Sequence, residues 1–123
     1  MIRIEGTDLS PTVVLDPERG SFEISGISVP ENSSEIFSPV LQHIRKYKDK
    51  PQVNTTLTVK MEYFNTSTSK YILDILTEFQ EMRNNKVSEV TIYWYYKEED
   101  EDMKEIGQDF RDLLRIPIQF EVY

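Results

Sequence analysis

Apolar positions recur at every second residue in some stretches and at helical spacing in others, and this changing period predicts a mixed α/β fold. Residues 12–16 and 21–25 are short β-like runs joined by DPERG. Pro17 fixes one turn dihedral and Gly20 permits an unusual one, so the pair reads as an N-terminal hairpin. Gly26 and Pro30 close that region. In ENSSEIFSPVLQHIRKYKDK, Ile36, Phe37, Val40, Leu41 and Ile44 form an apolar stripe at helical period. Asn32 and Glu35 have capping-box spacing, which starts the helix at Ser33 and predicts a bend at Pro39. A start near Ser38 would instead put Pro39 in the first turn.

In QVNTTLTVKMEYF, Val53, Thr55, Leu57, Val59, Met61 and Tyr63 alternate with polar residues, which predicts a strand with this set facing the core. A second helix follows almost at once, with Ile72, Ile75, Leu76, Phe79 and Met82 repeating and Leu73 widening the face. SEVTIYWYY is the next strand, with Val90, Ile92 and Trp94 on one face and Tyr93 and Tyr95 on the other. A third helix is expected around residues 101–114, docking through Ile106, Phe110, Leu113 and Leu114. Pro117 then turns the chain into a last strand, IQFEVY. The predicted order is hairpin, helix, strand, helix, strand, helix, strand, with short links that favour helices lying on the sheet.

Composition narrows the function. A chain of 123 residues fits one domain, residues 1–123. Its 11% of aromatic residues argues against disorder. The absence of cysteine removes disulfides and thiolate metal sites. No apolar run approaches the ~20 residues of a membrane span and the N-terminus has no secretory pattern, so the expectation is a soluble cytoplasmic protein without a membrane partner. Asn32, Asn54 and Asn65 match the N-x-Ser/Thr pattern but read as caps, strand or turn residues. A formal charge of −8 repels nucleic acid and anionic membranes, and no basic patch offsets it.

Catalytic signals are sparse. His43 is the only imidazole, and nothing selects a hydroxyl nucleophile or orienting acid for it. Glu62 and Asp74 offer a carboxylate pair only by chance among 22 acidic residues. The run EEDED lacks the turn and spacing of a calcium loop, and no glycine pattern cradles phosphate. No cofactor or metal is expected, and an acid–base enzyme using His43 or a carboxylate pair would need an enclosed pocket where these groups converge. YWYY reads as strand packing with exposed phenols.

The most concentrated feature is the junction YFNTSTSKYILDIL, where Asn65, Thr66, Ser67, Thr68 and Ser69 bring four hydroxyls to a strand–helix boundary. Asn65, Thr66 or Ser67 could each cap the helix, and one cap leaves the other hydroxyls surplus. A phosphate there would meet outward-pointing amides and the positive end of the helix dipole, which a fold tolerates, while a partner docked over that end would meet new charge and bulk.

PENSSEIFSPV, YFNTSTSKYILDIL and VTIYWYYKEEDEDMKEIGQDFRDLLRIPIQFEV, in this order over nearly the whole chain, resemble the SiaC-type regulatory phosphoproteins, whose fold is related to the STAS domains of anti-anti-sigma factors. The resemblance implies a STAS-like single domain, with a mixed β-sheet and about three helices after an N-terminal hairpin. It implies a regulatory protein rather than an enzyme, acting as a partner switch. The unmodified protein binds and activates an effector, a diguanylate cyclase in cyclic di-GMP signalling and biofilm control. A cognate Ser/Thr kinase phosphorylates the start of the central helix, and a PP2C-type phosphatase reverses the mark. By this resemblance Asn65 and Thr66 are the asparagine–threonine pair and Thr66 the phosphoacceptor. Ser67, Thr68 and Ser69 depart from the more apolar pattern expected there, so Thr68 is the main rival site and Ser67 the next. The partner surface is expected at residues 65–69. The alternative is a STAS-like scaffold that answers to its abundance or to a small anion without covalent modification.

Overall fold

The computed structural model describes residues 1–123, which form a six-stranded sheet with three helices. The elements are β1 (Ile2–Ile4), β2 (Thr12–Asp16), β3 (Ser21–Ser28), α1 (Ser33–Asp49), β4 (Asn54–Phe64), α2 (Thr66–Asn84), β5 (Glu89–Tyr96), α3 (Glu101–Leu114) and β6 (Gln119–Val122). Strand order follows chain order, antiparallel from β1 to β3 and parallel from β3 to β6. This is the STAS-like mixed sheet with its N-terminal hairpin. Strand β1 is an edge strand that the sequence pattern did not reveal, because three residues are too few to show a period. Strand β3 also runs through Gly26 to Ser28, beyond the expected close at Gly26.

Each parallel strand reaches its neighbour through one helix, and all three helices lie on one face. Register aligns Phe22 with Leu57 and Ile92, and Ile24 with Val59 and Trp94, so these side chains share a side of the sheet. Tyr47 of α1 and Phe79 of α2 meet Phe22 edge-on with centroids 4.8 and 5.5 Å away, and Phe110 of α3 meets Trp94 at 5.8 Å. The opposite face carries Thr56, Thr58, Lys60, Tyr93 and Tyr95 with no helix over it, where Lys60 Nζ lies 5.6 Å from the centre of the Tyr95 ring. Helix α3 comes close enough to the sheet that a Cβ on Gly107 would lie 2.7 Å from the Trp94 indole, while Trp94 Nε1 donates to the Met103 carbonyl at 3.0 Å. The turn between β2 and β3 uses Gly20 at φ 65°, where any side chain would strike the Asn54 carbonyl.

Four expectations need correction. Glu62 is an extra residue on β4: Gly26 pairs with Met61, but Ile27 pairs with Tyr63. The bulge reverses the alternation, so Tyr63 points outward, 59% exposed, and Phe64 takes the buried position. Val53 precedes the strand and is exposed, and Leu113 faces solvent while Met103, Gly107 and Phe110 dock α3. Finally, α1 starts at Ser33 and runs through Pro39, but Asn32 makes no side-chain cap to the backbone; its Oδ1 accepts the Ser34 hydroxyl at 2.8 Å. Pro39 sits on the exposed side, so the Glu35 carbonyl whose helical partner it removes can turn to water. No helix is long and apolar enough to cross a membrane.

Candidate functional site

The junction sits at the carboxyl end of β4, where the chain leaves the sheet and enters α2 with Asn65 alone between them. Asn65 is the cap. Its Oδ1 accepts the Thr68 amide at 3.0 Å and the Ser67 hydroxyl at 3.1 Å, and its carbonyl accepts the Ser69 amide at 3.0 Å. Its own N–H donates to the Ser28 carbonyl at 3.0 Å, which ties the helix entrance to the end of β3.

The four hydroxyls have different surroundings. Thr68 is fully buried, its Oγ1 2.8 Å from Ser28 Oγ and donating to the Ser28 carbonyl at 3.2 Å. Ser67 is exposed but its Oγ lies 2.5 Å from Ser33 Oγ at the start of α1. Ser69 is half-buried. Thr66, the first residue of α2, is exposed, and its hydroxyl takes part in none of these bonds. Ser28 and Ser33 are the two residues of this cluster that the sequence pattern did not single out. Ser28 carried a usable signal, since it continues the inward set Phe22, Ile24 at even spacing.

Helices α1 and α2 therefore begin side by side, at the end of the sheet where parallel strands present their carboxyl termini and crossover loops form binding surfaces. The first turn of α2 has no acidic residue, whereas α1 carries Glu35 and α3 carries Glu101 and Asp102 in theirs. In a chain of net charge −8, this leaves one helix start where the partial positive charge of the amides is not offset by a neighbouring carboxylate.

His43 is exposed on α1 and lines a shallow depression with Lys46 and Lys50, while Glu62 and Asp74 do not line a common cleft. No group of three or more His, Asp or Glu side chains is disposed to hold a metal ion.

Among solved structures, the chain superposes with a TM-score of 0.93 and 28% identity on a chain in the crystal structure of the diguanylate cyclase SiaD in complex with its activator SiaC from Pseudomonas aeruginosa, covering 100% of both chains. Apo-SiaC from the same organism gives 0.88 at 27% identity, covering 98% of both chains. An uncharacterised protein of Pseudomonas aeruginosa strain UCBPP-PA14 is 28% identical over 122 residues, spanning 99% of this chain and 96% of that protein. The model of a family described as SiaC family regulatory phosphoprotein, a family of regulators rather than enzymes, matches residues 4–123. The chain belongs to the SiaC family of regulatory phosphoproteins.

Proposed function

We propose that residues 1–123 act as one phosphorylation-controlled partner-switch domain in cyclic di-GMP signalling. The unmodified protein binds and activates a diguanylate cyclase, as SiaC is the activator of SiaD. A cognate Ser/Thr kinase places a phosphate on Thr66, the complex is disrupted, and a PP2C-type phosphatase restores it. The partner surface includes Asn65 to Ser69 at the start of α2.

The observation that carries this reading is the contrast between Thr66 and Thr68. A kinase needs a hydroxyl that can enter its active site, and Thr66 is exposed with an unengaged oxygen. Reaching Thr68 would require breaking its two contacts with Ser28 and opening the packed start of the helix. Ser67 ranks between them, accessible but joined to Ser33. A phosphate on Thr66 would add roughly −1.5 to −2 charge and three acceptors beside a helix start without carboxylates, so the domain keeps its fold while the docking surface changes.

The test is incubation with a candidate Ser/Thr kinase from the same organism and ATP, followed by intact mass and site mapping. One added phosphate on Thr66 is expected, and a phosphate mapped outside residues 66–69 overturns the site. Thr66→Asp is expected to fold and to lose cyclase binding. Inorganic phosphate titrated into the unmodified protein separates the anion-responsive alternative, which predicts saturable shifts at the α2 entrance and unchanged binding after kinase treatment.

A further inference from the structure

We infer that the groove between the end of β4 and the outer side of α3 is the docking channel for a cationic, amphipathic segment of the effector protein; this rests on the partner-switch reading above. The groove measures about 630 Å³ and opens to solvent. Its floor is apolar, built from Phe64, Met103 and Ile106. One lip is Tyr63, the side chain that the β4 bulge swings out of the core and leaves 59% exposed. Bulges commonly re-aim a side chain in this way beside a functional surface. The same strand end leads through Phe64 and Asn65 directly into Thr66, so groove and junction lie at the same end of β4.

Charge identifies what the groove would accept. Asp102, Glu105 and Asp109 form a stripe along α3 that Asp100, the N-cap whose side chain accepts the Met103 amide, continues, and Glu62 closes the β4 side. Of these five carboxylates only Glu62 has a cationic partner, Lys97 at 3.7 Å. At the α1–α2 contact, by comparison, Lys48 and Arg45 of α1 both reach Glu78 of α2, at 3.0 and 3.5 Å. The field of Glu62 and Asp100 extends to the Tyr123 phenol, which is held above its ordinary pKa first by burial and then by these two carboxylates. The carboxylates are not grouped as metal ligands. Nucleic acid and anionic membranes are repelled by this sign of charge. A protein segment with lysine or arginine flanking an apolar anchor satisfies both the rim and the floor, with Tyr63 as an amphipathic contact of the kind enriched at interfaces. Phosphate on Thr66 leaves the sign of the groove unchanged. The switch therefore acts through contact at the helix start, while the groove supplies attraction and register.

Binding of the unmodified full chain to the purified cyclase is measured at low and at physiological salt, for wild type, Glu105→Lys/Asp109→Lys, Tyr63→Ala and Thr66→Asp. Glu105 and Asp109 are exposed, so the double variant is expected to melt like wild type. It is expected to bind about tenfold or more weakly and to lose most of the salt dependence, with Tyr63→Ala weakening binding at both salt levels. Should the double variant melt low, Glu105→Gln/Asp109→Asn is expected to give a smaller loss in the same direction, and no loss overturns the groove. Unchanged affinity and salt dependence in the charge variants, with Thr66→Asp still disruptive, overturns the groove and leaves the switch standing. Failure of wild type to bind the cyclase overturns both. Carbodiimide labelling of Glu105 and Asp109 provides an independent readout: protection in the complex supports the groove, and equal labelling overturns it.

Discussion

Thr68 Oγ1 and Ser28 Oγ lie 2.8 Å apart inside the protein, and this contact joins the first turn of the central helix to the end of a neighbouring strand. A second bond from Thr68 to the Ser28 carbonyl and a third from the Asn65 amide to that same carbonyl make Ser28 the anchor of the junction. Thr68 is consequently part of the fold, although it lies only two residues from an exposed threonine.

Substitution should therefore separate the two threonines. Thr68→Val leaves the buried Ser28 hydroxyl without its partner and is expected to cost about 1–3 kcal/mol of unfolding free energy. Thr68→Asp buries a carboxylate and is expected to cost more. Thr66→Asp is expected to be neutral or to stabilise by about 0.3–1 kcal/mol, because it adds a negative charge at an uncompensated helix start. Urea denaturation of the three variants checks the order, and a stable Thr68→Asp protein would contradict it.

Asn65 is the side chain that caps α2, so Asn65→Ala is expected to destabilise by about 0.5–2 kcal/mol. Asn65→Asp keeps the acceptor and adds favourable charge, and should restore the loss. Thermal melts of the pair distinguish a capping role from a purely steric one.

Lys48 bridges two helices, donating to Glu81 and, at 3.0 Å, to the buried Glu78. Its pKa is raised above the ordinary 10.5, first by the hydrogen bond to Glu81, against the opposing effect of burial, and then by Glu78. A raised pKa on a cation stabilises the folded state fully below the unfolded pKa, and that contribution is lost as pH rises through the folded pKa. Lys48→Met is expected to cost about 1–2 kcal/mol near neutrality, moderated because Arg45 also reaches Glu78. The gap between wild type and variant should shrink above the lysine range, as measured by chemical denaturation at the two pH values.

Gly107 lets α3 rest on Trp94, and an added methyl would sit 2.7 Å from the indole. Gly107→Ala gains helix propensity yet is expected to destabilise by about 1–3 kcal/mol, since the aromatic floor cannot retreat without disturbing Phe110 and Phe120. Tryptophan fluorescence during unfolding reports both the stability change and any shift in the ring's surroundings.

Local chemistry made most of the fold legible in the sequence. The apolar repeat of Ile72, Ile75, Leu76, Phe79 and Met82 predicts a helix whose buried face is this set. The alternation in β4 and β5, and the third helix at residues 101–114, follow in the same way. Period depends on neighbours a few residues apart, so a single chain suffices to show it. Family resemblance carried the functional expectation to the start of α2, but the residues there offered four hydroxyls with nothing local to rank them. Their environments were decided by partners distant in sequence, Ser28 forty positions from Thr68 and Ser33 thirty-four from Ser67. The bulge at Glu62 is of the same kind, because strand register belongs to the pairing of β3 with β4 and to neither strand alone. Sequence determined the three helices and the strands long enough to show a period. Tertiary packing decided which hydroxyl at the start of α2 stays free and which aromatic faces outward, since both depend on what the folded chain brings alongside.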